Sequence, residues 1–296
     1  SPASLERADV GTYLARVRGG RDPGDELVDE FTRRYRVIGG SPLIGITRQQ
    51  AAALEEHLGS PVELGMRFSE PWIAEGLRAL AGRGVERVAA IVLSPQFSPL
   101  LMGGYERAID AACAEIGPSA PRVTLAAAWY DEPAFVDALA RRVRDALTTV
   151  GDPDRVPVLL TAHSLPRRVA DQEPDYLVQL RSTARLVAAA AGLADDRWRF
   201  CWQSAGHEPG EWMTPDFADL MPELARDGHE AVVVAPVQFL ADHLEIMYDI
   251  DVGAREQAER AGLAFARIRS LNADLGLIRA LAAVATKTSG AVPVGG

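Results

Sequence analysis

Cysteine is scarce in this chain: 296 residues include two, Cys113 and Cys201. They lie far apart and lack CxxC spacing, which excludes a disulfide scaffold. Cys201 falls in the apolar run from Trp198 to Trp202 and is expected to be a small buried thiol. No apolar run reaches the ~18 residues of a membrane span. Positive charge is not in surplus either; the net charge is -10, which argues against the basic face a nucleic-acid partner requires. Neither Arg18-Gly19-Gly20-Arg21 nor Ile38-Gly39-Gly40 has GxGxxG or Walker spacing, so nothing points to a hydride or phosphoryl cofactor. Repeats and low-complexity tracts are missing apart from a polar, Gly-containing tail from Lys287 to Gly296. That tail is expected to be disordered, most clearly over 291–296.

What is present is apolar material for large cores: 48% of the residues are hydrophobic, in a length that suits two ordinary domains or one large one. Strand-like runs at 61–67, 85–93, 122–129, 156–162, 198–203 and 231–235 alternate with helix-like ones. The helical segments are 71–82, 104–116, 133–150, 174–191, 215–227, 239–249 and a last one from Arg255. This alternation indicates an α/β fold, and in open parallel sheets ligands bind at the carboxyl ends of the strands.

Two such ends carry reactive side chains. His163 follows the run Val156 to Leu160, and Asp242-His243-Leu244-Glu245 follows Ala231 to Ala235. Glu245 and Asp249 are four apart and share a helical face, with Asp242 three residues earlier on the same stripe. Like charges at this spacing oppose a helix by about a few tenths of a kcal/mol. With no Lys or Arg interleaved, a divalent cation or a proton is expected there. Arg18 and Arg21 flank two glycines, and guanidinium groups suit bidentate binding of carboxylates.

Four motifs in order, Ile38-Gly39-Gly40-Ser41-Pro42-Leu43, His163-Ser164-Leu165-Pro166, Trp202-Gln203-Ser204 with Trp212 and Pro215, and Asp242-His243-Leu244-Glu245, resemble those of ferrochelatases over nearly the whole chain. The resemblance implies two similar doubly wound, Rossmann-like domains with parallel four-stranded sheets around a porphyrin cleft. The first would comprise 1–120 plus 271–290, and the second 121–270. It implies Fe2+ insertion into a porphyrin during haem biosynthesis, with His163 and Glu245 catalytic and His163, Glu245 and Asp249 handling the metal. Arg18, Arg21, Ser41, Gln203, Ser204 and Trp212 would meet the porphyrin or shape its cleft.

No permanently bound cofactor is expected, since Fe2+ is a substrate. An iron–sulfur cluster needs four ligands, usually cysteines, and two are too few. A cytoplasmic monomer is expected, with at most transient contact with neighbouring haem-pathway enzymes. The stretch Tyr13 to Arg21 resembles the branch that uses coproporphyrin III; the alternatives are protoporphyrin IX, another metal such as cobalt or nickel, or a non-catalytic tetrapyrrole-binding protein.

Three positions depart from the family pattern. Ala3 stands where many relatives have a tyrosine, Gln96 where some have a histidine, and Gly253 where many have a further acid, with Glu256 the nearest substitute. Relatives also place an apolar strand and a glycine ahead of Ser1-Pro2, so a missing first strand is expected.

Overall fold

The computed structural model of the protein describes residues 1–206 and 210–290, Leu101 by its backbone alone. The tail expected to be disordered at 291–296 lies outside the described residues.

Two strands carry the second half of the molecule: β3, Val158–His163, and β5, Ala231–Pro236. Their nearly continuous Val, Leu and Ala side chains suit strands covered on both faces. Outside them pair β4, Trp198–Gln203, and β6, Ala264–Arg267, giving a parallel sheet of order β4-β3-β5-β6. The strand period of two splits the core. Val158, Leu160, Val233 and Ala235 face one cluster, whereas Leu159, Val232 and Val234 face another with Cys201. Cys201 is fully buried, and burial pushes its thiol up. Each such Val or Leu contributes about 1.5–3 kcal/mol relative to exposure.

The smaller sheet holds β1, Arg87–Ala90, and β2, Arg122–Leu125, paired in parallel. It is two-stranded among the described residues, not the expected four. Segment 61–67 supplies no strand, only an isolated bridge between Met66 and Trp72. Pro61 has no N–H to donate. Gly65 is pressed onto the following helix, where a Cβ would lie 2.7 Å from Ile73 Cα. The segment is therefore spent on helix packing instead of a ladder.

The first helices are α1, Arg7–Val17, α2, Asp25–Val37, α3, Leu43–Leu58, and α4, Ile73–Gly82. Then come α5, Pro99–Ile116, α6, Pro133–Leu147, α7, Arg167–Ala170, and α8, Pro174–Ala191. The last are α9, Phe217–Arg226, α10, Leu244–Met247, α11, Arg255–Arg260, and α12, Leu275–Ser289. The helix expected over 239–249 is cut to the single turn α10, and a π-helical turn, Asp249–Ala254, follows it. α12 runs through Lys287 to Ser289, so those residues are helical and not part of a loose tail. It packs against α6 and also against α3 and β1.

Two features position the site. From β3 the chain moves to β4 on one side, then crosses back to β5 on the other. A crevice opens at such a reversal, at the carboxyl ends of β3 and β5. The α1–α2 hairpin closes one wall: Val10, Leu14, Val28 and Tyr35 share a buried cluster with Leu244, against which Tyr13 and Tyr248 pack.

Candidate active site

His163 ends β3, in register with Gln203 of β4. Its Nδ1 lies 2.5 Å from the Ser164 carbonyl oxygen. A carbonyl only accepts, so Nδ1 is the donor, and in the neutral ring Nε2 is then the nitrogen with the lone pair. Nε2 is 3.7 Å from Glu245 Oε2, and His163 and Glu245 remain 31% and 36% exposed at the crevice. The same oxygen lies 3.8 Å from His243 Nε2. Glu245 therefore stands between two imidazoles, one more open and one half-buried. Burial holds the His243 imidazole below the ordinary histidine range, against the opposing pull of Glu245. Sequence reasoning quoted His243 inside a motif but gave it no role. Its extended N-cap conformation is what brings it beside Glu245, two residues on.

Asp249 opens the π-helical turn, in which Gly253 N–H donates five residues back to Tyr248 O at 2.9 Å. Its Oδ2 accepts from Ser204 Oγ at 2.5 Å, and Arg34 Nη1 stands 3.6 Å from Oδ1. Burial pushes the Asp249 carboxyl up to about 6, and Glu245 adds to the effect while Ser204, Arg34 and His163 oppose it. Ser204 is left-handed, at φ 58°, a conformation that costs a non-glycine residue about 1–3 kcal/mol. There its hydroxyl meets Asp249. Gln203 is fully buried behind it, accepting from Thr161 Oγ1 at 2.5 Å and donating weakly to Ser204 Oγ at 3.4 Å. Gln203 thus braces the wall from behind.

Asp242 does not belong to the acidic stripe, contrary to expectation. Its carboxylate accepts from Ser270 Oγ at 2.7 Å, Asn272 Nδ2 at 2.9 Å and Arg267 Nη2 at 3.1 Å. Burial works against its charge, but these partners outweigh it and hold the carboxyl below its ordinary range. Arg267 also grips Asp251 at 2.6 and 2.8 Å. The cations absent from the local sequence come from other elements, Arg267 at the end of β6 and Arg34 on α2.

The α1–α2 hairpin supplies residues that the sequence did not reveal. Tyr13 and Tyr35 hydrogen-bond each other, and burial pushes Tyr13 up to about 12 and Tyr35 higher, with the charge of Glu245 adding to both. Both phenols therefore stay protonated beside Glu245. The Arg34 guanidinium lies 5.1 Å from the centre of the Tyr248 ring, and Arg33 donates to the Tyr248 hydroxyl at 2.5 Å. Glu30, drawn down to about 2 by Arg33 and then Arg34, anchors both arginines.

The other expected residues lie around the rim. Ser41 follows two left-handed glycines and accepts from Ser1 Oγ at 3.0 Å. Arg21 is exposed and donates Nε to the Arg18 carbonyl at 3.1 Å, while Arg18 Nε is buried without a hydrogen-bond partner. Trp212 bridges Pro166 beside the His163 loop and lies tight against Gly206, where a Cβ would come within 2.7 Å of its ring. Gln96 is fully buried, with Nε2 on Thr183 Oγ1 at 2.9 Å, so it braces α8 and does not face the crevice. Ala3 is exposed. Glu256 pairs with Arg260 on an exposed face at 2.9 Å, so it does not replace the acid missing at Gly253. Among the described residues, no three His, Cys, Asp or Glu side chains gather closely enough to cage a metal ion. No helix among them is long and apolar enough to cross a membrane.

The open parallel four-stranded sheet with its flanking helices is a chelatase-like α/β fold. SirB from Bacillus subtilis, solved with Fe3+, superposes with a TM-score of 0.62 at 16% identity, covering 82% of this chain and 90% of SirB; that likeness establishes the fold. The family model for ferrochelatases matches residues 24–289. A ferrochelatase from Deinococcus radiodurans is 40% identical over 280 residues, 92% of this chain and 88% of the relative. A coproporphyrin III ferrochelatase from Halalkalibacterium halodurans is 34% identical over 290 residues, 95% of this chain and 92% of that one. The chain belongs to the ferrochelatase family, lyases that insert iron into porphyrin.

Proposed function

We propose that the protein inserts Fe2+ into coproporphyrin III, releasing two pyrrole protons and yielding coprohaem. One observation carries this reading: His163 Nε2 faces the Glu245 carboxylate at 3.7 Å across the mouth of the crevice, with Nδ1 turned away onto the Ser164 carbonyl. Nε2 would accept a pyrrole proton or present a lone pair to iron. Glu245 would take the other proton, acting as a general base. Asp249 lies farther along the same wall and would deliver the hydrated ion, because oxygen ligands bind and release such ions readily. The work would be done in the cytoplasm by a monomer, with no resident cofactor and only transient contact with neighbouring haem-pathway enzymes.

Asp249 makes this reading sensitive to pH. Burial pushes its carboxyl up to about 6, so the apparent KM for Fe2+ should fall as pH rises through that value. Asp249→Asn should raise this KM and remove the pH-dependent limb in anaerobic kinetics. Stability has its own sign. A carboxyl raised above its ordinary range binds its proton more tightly folded than unfolded, so native stability declines as pH rises towards about 6. The Asn variant should therefore gain stability over the wild type above that pH in chemical denaturation.

Substrate choice supports the finer reading through the rim. Coproporphyrin has four propionates and protoporphyrin two, and Arg18, Arg21 and Ser41 offer donors for the additional pair. Relatives named coproporphyrin III ferrochelatase recur at 34% identity. Anaerobic Fe2+ insertion into both porphyrins, followed by absorbance, tests it directly. Arg21→Ala should weaken coproporphyrin binding about tenfold, or about 1.4 kcal/mol, and protoporphyrin binding less. Equal losses would make Arg21 a general anchor, and a wild-type preference for protoporphyrin would move the chain to the other branch.

A further inference from the structure

The hydrogen-bond ladder between β3 and β5 stops one rung short of the catalytic histidine. Val233 N–H donates to Pro157 O and Val237 N–H to Thr161 O, each at 3.0 Å, and the register ends at Thr161 and Pro236. On that edge of β3 the next donor is the His163 N–H. No strand carbonyl takes it. It donates to the side-chain Oε1 of Gln238 at 2.7 Å, and Gln238 Nε2 donates to the Tyr176 hydroxyl at 2.5 Å. A backbone N–H can only donate, which fixes the orientation of the Gln238 amide. Tyr176 is buried on α8. One side chain thus ties the end of β3, the exit of β5 and a core helix together.

The following peptide is held as well, since Ser164 N–H donates to Gln203 O at 2.7 Å. Both N–H groups flanking the His163 Cα are therefore pinned, and the ring is fixed to the same stretch through the Ser164 carbonyl. The direction of Nε2 follows from the placement of this backbone.

We propose that Gln238 is a positioning residue for metal insertion: by holding the His163 N–H against Tyr176, it sets the separation across which His163 and Glu245 act. The proposal rests on the reading of His163 as the working imidazole. Insertion chemistry depends on near-attack geometry, and misplacement by about 1 Å can cost about a hundredfold.

Three variants in the full chain test it. Gln238→Leu removes both hydrogen bonds at similar size. Gln238→Glu keeps the acceptor for His163 N–H and lets Tyr176 donate in return. Tyr176→Phe removes a single oxygen from the core. The expected result is a kcat about tenfold lower for Gln238→Leu, with KM for iron and porphyrin within about twofold. Gln238→Glu should stay within about twofold of wild type, and Tyr176→Phe should lose about threefold in kcat. A purely structural role would instead lower thermal stability and leave kcat of the folded fraction unchanged, which overturns the proposal. So would equal losses for Leu and Glu. If Gln238→Leu does not fold, Tyr176→Phe decides: wild-type kcat there refutes the clamp. His163→Ala, measured alongside, separates the two readings. An inactive His163→Ala beside a fully active Gln238→Leu removes the clamp and spares His163, whereas an active His163→Ala removes both.

Discussion

His163→Ala is expected to abolish measurable iron insertion while leaving porphyrin affinity within a few-fold. The imidazole places Nε2 3.7 Å from Glu245, and its other nitrogen is committed to the Ser164 carbonyl. No hydrogen bond from its ring reaches the rim where Arg18, Arg21 and Ser41 would meet propionates. Loss of one positioned acid–base group typically costs about 10²–10⁴ in rate, and here the same group would also meet the metal. Fluorescence titration of the porphyrin and anaerobic insertion kinetics separate binding from chemistry. Retention of more than about a tenth of wild-type turnover would assign the chemistry elsewhere.

Glu245→Gln should be nearly as severe, a loss of about 10²-fold or more in kcat. The substitution keeps size and shape but removes the charge that faces His163 and the half-buried His243. It should not mimic Asp249→Asn, because Asp249 lies beyond the His163–Glu245 pair and is tied to Ser204. The contrast is therefore in kinetics: kcat for Glu245, KM for iron for Asp249. If Glu245→Gln raised only the iron KM, the two carboxylates would exchange roles.

The legible parts of the fold were those governed by local pattern. β3 and β5 stood out because strands covered on both faces read as apolar runs. Segment 61–67 has the composition of a strand, yet Pro61 and the close approach of Gly65 to Ile73 divert it to helix packing. The approach of His163 to Glu245 was legible because their motifs follow buried strands. Asp242 was misjudged for a physical reason: Arg267, Ser270 and Asn272, its partners, lie 25 to 30 residues further on, where no helical spacing points. Arg33 meets Tyr248 across 215 residues, and Tyr13 and Tyr35 approach Glu245 through the same hairpin docking. Contacts of that range leave no periodic trace in a sequence.

The π-helical turn at Asp249–Ala254 makes this stretch sensitive to length more than to composition. Gly253 has room for a side chain, since a Cβ there would meet nothing nearer than Tyr248 O at 3.8 Å. Deleting one residue is a different matter. It would restore ordinary α-helical winding and rotate what lies on one side of the turn by roughly 100° against the other. Asp249 could not then face Ser204 while Asp251 keeps its grip on Arg267. The surplus residue works as a phase shifter, letting one short stretch point one acid into the crevice and commit another to the scaffold.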